Sequence, residues 1–70
     1  MYQEQKTADY VKRTRRLTAV NMRNVAYWLD IAADWEARGD MEEARICRQR
    51  ADDCRARANK WQARADAAAA

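Results

Sequence analysis

Few residues in this chain have the type and spacing to do chemistry. Cys47 and Cys54 are its two thiols, seven residues apart. On a helix their backbones would stand about 10 Å apart along the axis, out of reach of a disulfide. There is no histidine and no third cysteine, so a zinc site within one chain is not expected. The two cysteines read as small packing residues that could meet their mates only between two copies. Six carboxylates (Asp30, Asp34, Glu36, Asp40, Glu42 and Glu43) gather around Gly39. Paired carboxylates run acid–base chemistry when a pocket drives their pKa values apart, whereas residues flanking a turn are expected to cap helices and face water. With no nucleophile beside a base and no glycine-rich phosphate loop, the expectation is a non-enzymatic protein. No cofactor, metal or small-molecule substrate is expected.

The elements that must position these residues follow from composition. Seventy residues allow one domain, 1–70. Leu, Ile, Val and Phe together number only seven, but the net charge of +3 is too small for charge-driven disorder. The residues that replace them, chiefly Ala, Arg and Glu, favour helix. Proline is absent and Gly39 is the single glycine, so the chain has one break. Gly39 suits the left-handed position past a helix end. Asp40 suits the next N-cap, with Glu43 reaching back as its capping-box partner. An all-α, antiparallel two-helix hairpin is expected, with a helix over about 6–38, a turn at 39 and a helix over about 40–66. The first few residues and Ala67–Ala70 should fray. No apolar run approaches membrane-spanning length and no signal-peptide core follows Met1, so a cytoplasmic location without membrane contact is expected.

The second helix has an unbroken four–three spacing through Cys47, Ala51, Cys54, Ala58, Trp61, Ala65 and Ala68, the seam of a helix pair. Nearly all of it is small. Projected at 100° per residue, the first helix offers a broad arc: Tyr10, Leu17, Met22, Val25, Trp28, Leu29, Ile31, Ala32 and Trp35. Large side chains against a small seam would pack well. The arc is wider than one partner helix covers, which points to a homodimer forming a four-helix bundle. Asn21 lies near the centre of the arc and Asn24 near its edge. The expectation for Asn21 is a buried amide pairing with its dimer mate. The core and dimer set is therefore Leu17, Asn21, Val25, Trp28, Leu29, Ala32, Trp35, Cys47, Ala51, Cys54 and Ala58.

Charge is segregated. Residues 1–28 balance at +4, 29–44 at −5 and 45–70 at +4. Folding the hairpin collects the basic segments at its open end and the acid at its tip. Arg50, Arg57 and Arg64 recur every seven residues beside the second seam, where solubility and pairing such as Arg48/Asp52 and Asp53/Arg57 would employ them. Tyr27 projects opposite the arc, among Arg16, Arg23 and Asp30, a composition suited to a protein-binding hot spot. Trp61 and Arg64 near the open end complete the expected partner-binding set.

Two family resemblances can be read from these residues. Trp28, Ala32, Trp35, Gly39, Ala44 and Ala51 resemble a single tetratricopeptide repeat, without its closing proline, which implies hairpin packing. Glu36-x-x-Gly39, Ala44, Ala51, Asn59 and Trp61-x-x-Arg64 resemble the ANR family across roughly residues 32–65. This chain has Arg48 where that family has an aromatic, and it lacks the C-terminal cysteine. The resemblance implies a small helical negative regulator that binds AraC-type activators and holds them inactive. The expected function is accordingly a helical adaptor that binds a protein, a transcription regulator in its leading form, and inhibits it. The alternatives are a basic nucleic-acid-binding protein and a phage or mobile-element inhibitor of a host protein.

Overall fold

The computed structural model describes residues 2–70, with side chains from Lys6 onward. Two helices, α1 (Tyr2–Ala37) and α2 (Met41–Ala69), pack antiparallel as a helical hairpin. Its Cα extents are 57 × 13 × 12 Å. At the open end of the hairpin both helices run past the expected bounds, α1 beginning at Tyr2 and α2 ending at Ala69, while at the turn each stops one residue short of them. The expected fraying at Ala67–Ala70 gives way to helix as far as Ala69, in keeping with the high helix propensity of alanine. The expected fraying of the first few residues likewise gives way to helix, which begins at Tyr2.

The turn forms as a Schellman motif. Gly39 has φ +80°, its N–H donates to Glu36 O at 2.9 Å, and the Asp40 N–H donates to Trp35 O at 2.9 Å. The Asp40 carboxylate then accepts from the Glu43 N–H at 3.0 Å, capping α2 as expected. The return half of the capping box is replaced, because Trp35 O already holds the Asp40 N–H.

Along α2 the buried residues are Ala44, Cys47, Ala51, Cys54, Ala58 and Ala65, the expected seam extended one step toward the turn. Trp61 and Ala68 continue it, partly buried. On α1 the facing row is Val11, Thr14, Thr18, Asn21, Val25, Trp28, Ala32 and Trp35, each buried or partly so. Its spacing is three–four throughout, in register with α2. Val25, Ala51 and Cys54 form the apolar centre, with Trp28 against them.

This row corrects the broad arc. Leu29, expected in the core, is 41% exposed, and Tyr10 and Met22 are exposed at 41% and 45%. Leu17 and Ile31 are partly buried at the margin. A seam that repeats every seven residues drifts by about 20° per heptad against a straight 3.6-residue helix. Projection at 100° therefore smeared a narrow row into half the circumference. Thr14 entered the seam unforeseen. Its hydroxyl is satisfied by donating within its own helix, to Tyr10 O and Val11 O, both at 3.0 Å.

The core is thin. Thr14 is the largest side chain buried to below 2% exposure among the described residues. Substitutions at two positions test this account by thermal melting. Gly39→Val should lose about 1–2 kcal/mol from left-handed backbone strain and Gly39→Asn less. A Cβ at Gly39 meets nothing within 4 Å, so strain alone sets the cost. Ala58→Glu, at a fully buried position, should cost roughly 3 kcal/mol or more by burying an unpaired charge. An unchanged melt would remove Ala58 from the packing face.

Candidate protein-interaction face

Because the seam is built of small side chains, the large ones stand at its edges. The two edges of the hairpin differ in chemistry. On one, the row Tyr10, Leu17, Asn24 and Ile31 of α1 borders Arg50, Arg57 and Arg64 of α2. On the other, Arg15, Met22, Leu29 and Glu36 of α1 border Met41, Arg48 and Arg55 of α2.

At the first edge the arginines lie over the seam. The Arg50 guanidinium sits 5.1 Å from the Trp28 ring centroid and Arg64 sits 5.0 Å from that of Trp61, both cation–π distances. Between them, Arg57 Nε donates to Asn21 Oδ1 at 3.3 Å, and its Nη2 lies 3.3 Å from Cys54 Sγ. Asn21 Nδ2 donates to Leu17 O at 2.8 Å. Asn21 is thus buried as expected, but its partner is Arg57 of the same chain rather than a dimer mate. Among the described residues, none of these three guanidiniums has a carboxylate within ion-pair distance.

The expected charge pairs are corrected in the same way. Arg48 reaches across to Glu36 at 3.4 Å instead of Asp52, and Asp52 pairs with Arg55 at 3.8 Å. Asp53 accepts from Gln49 rather than Arg57. Among the described residues, Arg48 and Arg55 of the second edge are paired and its Arg15 is not, whereas none of the three arginines of the first edge is. Three of the six carboxylates around the tip are held in a cap or a pair. Asp40 caps α2, Glu36 holds Arg48, and Glu42 pairs with Arg45 at 2.6 Å. The hydrogen bond and charge of Arg45 hold the Glu42 carboxyl below the ordinary carboxylate range.

Tyr27 is exposed at 58%, and its ring stands edge-on to Trp28 with centroids 5.3 Å apart. Arg16, Arg23 and Asp30 are exposed on the next row outward, and Arg64 covers Trp61. The expected partner-binding residues do not share one side of the hairpin: Arg16, Arg23 and Asp30 lie on the α1 row opposite the seam, Trp61 and Arg64 belong to the arginine edge, and Tyr27 lies between the two. Tyr27 and Arg23 lie nearer the middle of the hairpin. Trp61, opposite Thr18 in the seam, lies about nine residues, or roughly 13 Å, further toward the open end. Arg57 lies between these levels, with Leu17 and Val20 beside it. Sequence reasoning missed Arg50 and Arg57 as site residues. Their seven-residue spacing was legible, but what each would cover was not.

If the arginines seal this edge, Arg50→Ala and Arg64→Ala should each raise acrylamide quenching of tryptophan fluorescence. Each should also lower stability by about 0.5–1 kcal/mol. Unchanged quenching would show that the guanidiniums do not rest on the rings. No family model, curated protein or solved structure matches the chain, so the reading of this face rests on its own chemistry.

Proposed function

We propose that the chain is a non-catalytic, homodimeric helical adaptor that docks on a protein partner through the arginine edge and blocks the partner's surface. The observation that carries this reading is a row of three guanidiniums without carboxylate partners, set beside exposed Tyr27 and partly buried Trp28 and Trp61. Arginine, tyrosine and tryptophan supply most of the energy at protein interfaces. Cations left unpaired within the chain suit an acidic surface. A transcription regulator is the leading partner class, supported by the resemblance of residues 32–65 to the ANR family. A phage or mobile-element inhibitor of a host protein would use the same mechanism.

The second reading, nucleic-acid binding, is favoured by the same arginines together with the positive balance of both flanking segments. Salt separates the two. Phosphate binding falls steeply between 50 and 200 mM salt, by about 10³-fold or more for six or so phosphate contacts, whereas a packed protein interface weakens less.

Tyr27→Ala combined with Arg23→Ala should abolish partner capture from cells, at a cost of about 2 kcal/mol or more at a true hot spot. Both side chains are exposed, so helicity and assembled mass should not change. Full capture by the folded double variant would move recognition to Trp61 and Arg64 at the open end.

A further inference from the structure

Three of the large exposed apolar side chains stand together on the edge opposite the arginines. Met22, Leu29 and Met41 are exposed at 45%, 41% and 53%, in the rows joined by the Glu36–Arg48 pair. The neighbouring outer row of α1 holds Ala19, Ala26 and Ala33, all exposed. Together they make a second stripe at three–four spacing: Ala19, Met22, Ala26, Leu29 and Ala33, with Arg15 at one end and Glu36 at the other. At the open end this edge widens into a groove of about 700 Å³, lined in part by Ala8, Val11, Lys12, Arg15 and Ala68.

We infer that a second copy of the chain docks on this edge, α1 against α1, with the two hairpins antiparallel. The inference rests on the reading of the chain as a dimeric interaction module and names the face and direction of that dimer. Shape is the first argument. Opposed copies related by an axis near residue 24 set Met22 against Ala26 of the second copy and Leu29 against Ala19, large into small. A two-fold axis repeats each contact, so one good fit counts twice.

Charge fixes the direction. Lys12 and Arg15 lie at the open-end side of the stripe and Glu36 at the tip side. Antiparallel copies bring Lys12 opposite Glu36 of the other copy, whereas parallel copies set like on like. The same offset carries the exposed Met41 of one tip to the apolar groove at the other copy's open end. The cations rimming that groove face the acidic residues around Met41.

The arginine edge is a poor place for self-association, since it would press two rows of unpaired guanidiniums together. On the other edge Arg48 and Arg55 are already paired, so self-association there meets less of that penalty and leaves the arginine row open to a different protein.

Sedimentation equilibrium of the full chain at tens of micromolar should give twice the 8.2 kDa chain mass. Ala26→Glu and, separately, Leu29→Lys should return it to the single-chain mass with helicity unchanged, since both positions are exposed in the hairpin. Tyr27→Ala with Arg23→Ala should remain dimeric. Carbodiimide coupling of the dimer should join Lys12 to Glu36. Within one helix those residues stand about 36 Å apart, so this link can form only between antiparallel copies. A monomeric wild-type chain would overturn the inference while leaving partner capture to its own test. Dissociation by the Tyr27/Arg23 variant instead of Ala26→Glu would overturn the assignment of the face. A coupled dimer without the Lys12–Glu36 link would overturn its direction.

Discussion

The close contact between a row of alanines and cysteines on α2 and the three–four row of α1 governs the rest of this molecule. Ala44, Ala51, Ala58 and Ala65 are wholly buried. A seam so small leaves little space at its centre, which α1 fills with Val25, Ala32, Thr14 and Asn21. The burial that stabilises the pair scales with apolar area. Here that area is modest, and much of the available aromatic surface lies at the margins. Trp28, Trp35 and Trp61 are each only partly buried. Each has an arginine about 5 Å from its ring centroid, so guanidiniums cover surface that a wider core would have enclosed.

That placement links packing to recognition. An arginine lying on a tryptophan keeps its stem on apolar surface and its charge near water. The hairpin thereby gains a flank with aromatic and cationic character in one place. The opposite flank pairs Arg48 with Glu36 and Arg55 with Asp52, and exposes methionine and leucine instead. One thin seam thus generates two surfaces of different character. A chain of this length gains little stability from a single core.

The two halves of the seam also differ. Toward the tip α1 contributes Val25, Trp28, Ala32 and Trp35, closed by the Schellman turn. Toward the open end it contributes Thr14, Thr18 and Asn21, whose polar groups bond to their own helix or to Arg57. Hydroxyls satisfied in this way permit burial but add less than methyl groups would. The tip half is accordingly the more apolar end, although Thr14, Ala58 and Ala65 of the open half are as deeply buried.

Much of this architecture was legible in the residues alone. A single glycine followed by Asp-x-x-Glu marked the turn, because left-handed backbone and an N-cap have strong residue preferences. The unbroken spacing from Cys47 to Ala68 marked the seam of α2, because only one face of that helix is apolar. The seam of α1 was not legible. From Leu17 to Trp35 its apolar residues occupy several rows, so local pattern could not choose among them. Contact with the straight row of α2 made the choice, drawing in Thr14 and leaving out Leu29. Only the tertiary structure decided the role of the arginines. A seven-residue spacing says that they share an edge. Whether each meets a ring, an amide or a carboxylate depends on which side chain of the other helix stands at the same level. For Arg57 that side chain is Asn21, which comes within reach only after the hairpin closes.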